Sequence, residues 1–175
     1  MNEVIQALFE RRSIRKFKPD LPTKEDLEQI VKAGLYAPSG RGTQSPIIVA
    51  VTNKELRDKL SESNRAIAGM PEGMDPFYGA PAVLIVLVPK DAPLGTYDGS
   101  LAMGNMLLAA YALGLGSVWV HRAEEEFEQP EYQAVLKKLG IEGEWKGIGH
   151  CAVGYADCEA PEAAVRKENR AFWAE

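Results

Sequence analysis

The sequence predicts an α+β fold, a small sheet wrapped by helices, and three observations predict it. Helix-period and strand-period segments alternate without the steady strand–helix rhythm of a doubly wound sheet. Pro81–Val88 is a continuous apolar run, as expected of a strand covered on both faces. Asp98–Leu113 is apolar nearly all round, as expected of a central buried helix. The chain has 175 residues, 46% of them apolar and 26% charged. That is ordinary globular composition, and it excludes disorder and collagen. A chain of this length buries roughly 70% of its unfolded surface, so one domain over residues 1–175 needs no disulfide or structural metal.

The elements follow in order. Val4, Ile5, Leu8 and Phe9 share one helical face, so residues 2–11 read as a short amphipathic helix, and Ser13–Phe17 reads as extended. Thr23 can cap the next helix with Asp26 at the reciprocal position, and Leu27, Ile30, Val31 and Leu35 supply its apolar face. Pro38-Ser39-Gly40-Arg41-Gly42 breaks that helix into a loop. Ile47–Thr52 is a β-branched run and reads as a strand, and Thr52 with Glu55 suggests a second capping box. Residues 64–79 lack a clear period and read as a loop or broken helix. Asp98 can cap the central helix and Gly114 can stop it. Ser117–Val120 reads as a strand, Pro130 opens a helix that Gly140 ends, and Ile148–Tyr155 is the last strand. A mixed tail closes on Phe172-Trp173, aromatics that suggest docking on another subunit.

Charge excludes some functions. The net charge is −5, which argues against a whole-surface nucleic-acid binder. Residues 1–18 nevertheless carry +3, leaving −8 for the rest. A basic knot on an acidic chain calls for an anionic ligand or a local structural explanation. The start Met-Asn-Glu-Val has an early acid and no sustained apolar stretch, so no signal peptide is expected, and no apolar run is long enough to span a bilayer. Cys151 and Cys158 have neither a CxxC spacing nor a His cluster. They read as reduced thiols of a cytoplasmic protein with no metal.

Three motifs carry candidate chemistry. Arg11, Ser13 and Arg15 alternate along an extended stretch, so two guanidinium forks and a hydroxyl could converge on a phosphate. The alternative is a solvated turn, or cations complementing the preceding helix C-terminus. Gly147-Ile148-Gly149-His150-Cys151-Ala152 formally fits GxGxxA but runs into a strand, so the dinucleotide reading is rejected. Gly114 and Gly116 suit a helix stop and tight turn, or a turn whose amides approach a flat ligand. His121 and His150 belong to no recognisable triad and read as satisfied polar residues, and the acidic 124–131 stretch reads as a solvated face.

Together these segments resemble the FMN-dependent nitroreductase family in order and over almost the whole chain. Arg11-Arg12-Ser13-Ile14-Arg15-Lys16-Phe17 is similar to its RRSxRxF signature, and Ala37-Pro38-Ser39 with Gln44 to its APS…Q loop. Tyr78-Gly79-Ala80-Pro81, the Leu113–Trp119 turn and Val153-Gly154-Tyr155 resemble later family segments. In place of the common NxQPW loop this chain reads Gly42-Thr43-Gln44-Ser45-Pro46. The resemblance implies a nitroreductase-like, mainly antiparallel mixed sheet and a homodimer that exchanges C-terminal tails, with FMN at the interface.

It implies that Arg11, Arg12, Ser13 and Arg15 grip the phosphate and ribityl chain with Arg166 or Lys167. It also implies that Pro38 and Ser39 contact the flavin from the partner, with Gln44 nearby. Trp119, Val120 and His121 would line the ring, and Asn64 would meet its pyrimidine edge. The implied activity is ping-pong reduction of small acceptors, such as nitroaromatics or quinones, by NADH or NADPH. No side-chain acid is obligatory, so no catalytic residue is named. Alternatives are a flavin storage or sensor protein with little turnover, and another reductive activity such as enone reduction or dehalogenation.

Overall fold

A computed structural model describes residues 1–175. Its elements are α1 (Glu3–Glu10), α2 (Lys24–Leu35), β1 (Ile47–Val51), α3 (Lys54–Ile67), β2 (Ala82–Pro89), α4 (Gly95–Ala112), β3 (Gly116–Val120), α5 (Ala123–Phe127), α6 (Pro130–Lys138) and β4 (Trp145–Gly154). The four strands are antiparallel throughout, in the order β1-β2-β4-β3. The only parallel pairing is an isolated bridge between Ser13 and Ser117.

The sheet separates two cores. On β2, Ala82, Leu84, Val86 and Val88 face one core with α2 and α4, while Val83, Ile85 and Leu87 face the other with α3, α5 and α6. Both faces are covered, so the strand's two-residue alternation is written in apolar residues only. β4 changes phase at Ile148. Gly149 pairs with Val86 and Gly147 with Leu87, which leaves Ile148 as the extra residue of a bulge. The bulge turns Ile148 to the α4 side, where it packs where a Cβ on Gly99 would fall, and turns Gly147 to the α5 side.

Several local readings need correction. Thr23 caps α2, with its Oγ accepting from the Asp26 amide at 3.1 Å, as expected. The cap of α3 is Asn53, however, one residue beyond Thr52, and its side-chain Oδ1 accepts from the Leu56 amide. The same helix runs through Ile67, into the stretch read as a loop or broken helix. Asp98 does not cap α4. The helix begins at Gly95, and the carboxylate is spent on the loop after α2. Gly114 does stop α4, at φ 74°. Its neighbour Gly116 has a structural purpose too: a Cβ there would meet Ile14 at 3.0 Å, so the glycine admits the N-terminal segment rather than a ligand. The acidic stretch is not all solvated, because Glu126 is fully buried.

Candidate active site

The N-terminal segment lies along the sheet edge. The Ile14 amide donates to the Ser117 carbonyl at 3.0 Å, and Ile14 and Phe17 are buried as anchors. This pairing spreads the basic residues, and they do not act alike. Arg11 sends Nη1 into the interior, where it is buried without a partner. Burial pushes the Cys151 thiol up to about 12, and the Arg11 charge pulls it the other way, so the guanidinium faces that part of the sheet. Arg12 turns back. Its Nη1 donates to the carbonyls of Phe9 at 2.6 Å and Arg11 at 2.8 Å, complementing the exposed end of α1. Arg15 is exposed above the Tyr78 ring, 6.0 Å from its centroid, and Lys16 pairs with Asp157 at 2.9 Å.

The turn from β3 into α5 is held at every residue. Trp119 lies over Gly149, where a Cβ would come within 2.0 Å of its indole nitrogen, and that buried nitrogen has no partner. The exposed His121 ring stacks on Trp119 at 5.6 Å. The Val120 carbonyl lies 3.3 Å from His150 Nδ1. Asn64 is fully buried. Its Nδ2 donates to the His121 carbonyl at 2.7 Å, and its Oδ1 accepts from Arg122 Nε at 3.0 Å. The amide is therefore committed to the turn. Arg122 takes the outer position, at a left-handed φ of 75°. Ala123 sits on β4, and a Cβ at Gly147 would come within 2.1 Å of its carbonyl oxygen. The glycines of the rejected GxGxxA pattern are thus steric clearances for this turn.

The Pro38–Gln44 loop is equally well tied. The Gly40 amide donates to Asp98 Oδ1 at 2.8 Å, and Ser45 Oγ donates to Oδ2 at 3.0 Å. Ser39 Oγ accepts from the Gln44 amide at 2.8 Å, which leaves its hydroxyl proton to donate elsewhere. Pro38 and Gln44 are exposed, and Gln44 is held at φ 50°.

Within one chain this loop and the arginine segment are far apart. Asp98 holds the loop near the start of α4, while Tyr111, near its end, donates to Glu10 at 2.8 Å. Thirteen residues of helix separate them, about 20 Å at 1.5 Å per residue. Arg166 and Lys167 lie on a tail in which residues 157–175 are all exposed.

The donor set fits an FMN phosphate. A buried guanidinium nitrogen without a partner is costly. In Arg11 that nitrogen lies two residues before Ser13 on the same extended segment, and a phosphate would satisfy it with a charge-assisted hydrogen bond. Sequence reading gave Asp98 a capping role instead of its role in the loop, and missed Arg122 and the Glu126–His150 pair. A lone acid in an apolar helix was the available signal for Asp98, and two glycines spaced two apart in a strand were the signal for the clearances. For Arg122 and Glu126 there was no local signal.

A protein-family model described as Nitroreductase family matches residues 8–155, and the chain belongs to that family. A nitroreductase crystal structure with bound FMN from Bacteroides fragilis superposes with a TM-score of 0.90 at 29% identity, covering all of both chains. The FMN reductase (NAD(P)H) of Bacillus subtilis is 30% identical over 172 residues, matching 81% of this chain. The chain spans 66% of that protein's length. An iodotyrosine deiodinase of Thermotoga neapolitana is 29% identical over 87% of this chain and 88% of its own.

Proposed function

We propose that this protein is an FMN-dependent oxidoreductase that uses NADH or NADPH to reduce small acceptors such as nitroaromatics or quinones. The observation that carries this reading is the buried, unpartnered Arg11 Nη1 on a family frame whose neighbour carries FMN. Arg11 and Ser13 would hold the phosphate, with Arg166 or Lys167 brought by the tail. Arg12 would contribute least, since its guanidinium is spent on α1. Trp119, Val120 and His121 would line the ring. The clasped turn would keep their backbone from moving, so little reorganisation is needed during reaction. Asn64 would act by bracing that turn, not by direct contact. Bound FMN would supply the hydride chemistry, which the side chains cannot perform themselves.

The working unit is proposed to be a homodimer with FMN at the interface. The separation of the Pro38–Gln44 loop from the arginine segment supports it, because a second copy running antiparallel along α4 would join the two ends. So does the exposed apolar surface: α1 buries no residue, and Tyr97 and Leu101 of α4 are open. No helix is long and apolar enough to cross a membrane. Both cysteines are free, which fits a cytoplasmic location.

The test is anaerobic absorbance spectroscopy of protein supplied with FMN. NADH or NADPH should bleach the bound flavin, and a small acceptor should restore its colour. Bound flavin that neither nicotinamide reduces would favour a storage or sensor protein and overturn the enzymatic reading.

A further inference from the structure

Glu126 and His150 are both fully buried, on the face of the sheet shared by α3, α5 and α6. His150 Nε2 lies 2.5 Å from Glu126 Oε2, and its other nitrogen, Nδ1, lies 3.3 Å from the Val120 carbonyl oxygen. The Phe77 ring covers the imidazole at 5.2 Å. Neither Nε2 nor either carboxyl oxygen completes a well-directed hydrogen bond, so the contact is one of close packing between polar groups. The neighbours on both sides in the sheet, Ile85 and Val120, are aliphatic. The core does not require such a pair, since replacing buried paired polar groups with packed apolar residues is often neutral or stabilising.

What an apolar pair could not do is meet Val120. The imidazole stands between two acceptors, the Val120 carbonyl and the Glu126 carboxylate. Nδ1 must carry a proton to donate to Val120, and the Glu126 carboxyl group packed 2.5 Å from Nε2 restricts how far the ring can turn away from that contact. Val120 belongs to the stretch assigned to the flavin ring. Its carbonyl shares a peptide plane with the His121 amide, so fixing the carbonyl fixes the direction of that N–H.

We propose that His150, oriented by Glu126, is a positioning residue that aims the flavin-facing backbone at Val120 and His121. This inference rests on the FMN reading above.

The decisive variant is the double substitution E126L/H150F, made in the full chain and loaded with FMN. It keeps the core apolar and deletes the donor to Val120. Thermal stability should stay at or above that of the wild type. The FMN Kd should rise roughly three- to tenfold, the expected loss for one hydrogen bond's worth of positioning. The visible bands of the bound flavin and its two-electron midpoint potential should shift.

His150→Asn and His150→Gln provide a second comparison should the double variant fold poorly. Asn places its donor where Nδ1 sits and should hold FMN within about twofold of wild type, whereas Gln reaches toward Glu126 and should bind as weakly as the double variant. Wild-type Kd, spectrum and potential in both the double and the Gln variant would overturn the inference and leave the FMN reading standing. Wild-type protein that fails to hold FMN would overturn both.

Discussion

Side chains of one type do different work here, and Arg11 and Arg12 illustrate it. Adjacent in sequence, they point opposite ways: one inward without a partner, one back onto the carbonyls that end α1. Arg11→Ala is expected to weaken FMN binding by about tenfold or more, the scale of a lost charge-assisted hydrogen bond. Arg12→Ala should cost about 1 kcal/mol of stability, from the end of α1, with little change in FMN affinity. Fluorescence titration of FMN and thermal melts of both variants separate these outcomes. Asp98 makes a similar case. Asp98→Ala strips the Gly40 amide and the Ser45 hydroxyl of their acceptor, and should cost about 1–3 kcal/mol. Faster proteolytic cutting within residues 38–45 would report the loosened loop. The sequence marked the arginines as a group and the acid as a cap. Only the folded chain could sort the arginines and reassign the acid: Arg12 turns to carbonyls one and three residues away, whereas burial isolates Arg11 Nη1 and packing brings Gly40 and Ser45 to Asp98.

At the scale of elements, the glycines of β4 and the network beneath β2 set what can move. Gly147→Ala would drive a Cβ into the backbone of Ala123, at 2.1 Å, with no flexible side chain to give way. A loss of about 1–3 kcal/mol is expected, read as a lower Tm with displaced amide resonances at Val120–Ala123.

The segment after α3 depends on Arg57, which is buried. Its Nε donates to the Ala80 carbonyl at 2.9 Å and its Nη2 pairs with Asp75. Burial pushes the Asp75 carboxyl up, but Arg57, the Ser61 hydroxyl and the Phe77 amide together outweigh it and hold the group below the usual aspartate range. A depressed carboxylate stabilises the fold above the unfolded value, near pH 4, and that contribution is lost as pH falls through the folded value. Asp75→Asn should therefore melt well below wild type at pH 7, and the gap should narrow as pH falls below about 4. A gap independent of pH would contradict the assignment. Most elements were legible from the sequence, because helix and strand periods are local. The bulge at Ile148 and the cap at Asn53 were not. One depends on the partner strand and the other on where the first turn happens to wind.

The whole molecule leaves apolar surface uncovered. Phe172 and Trp173 are 83% and 88% exposed at the end of a tail that carries Arg166 and Lys167. On the dimer reading these residues lie on the partner and bring a cation to its phosphate. Truncation after Ala160 should leave a folded chain, since no residue from 157 onward is buried. It should also shift the protein toward monomer and weaken FMN together with self-association. Sedimentation velocity and FMN titration on one sample check this; a truncated protein that stays dimeric and keeps its FMN affinity would contradict it.

The sequence by itself determined the family, the sheet's two-faced core and the position of the basic segment, because periodicity, capping and short motifs are properties of neighbours along the chain. Tertiary structure decided which arginine is left unpartnered and that Asn64 braces a turn. It also decided that an acid within the 124–131 stretch meets a histidine in the core. Those outcomes depend on burial and, for Asn64 and Glu126, on contacts between residues 24 to 58 positions apart, where the energy of a polar group is set by what the fold places beside it.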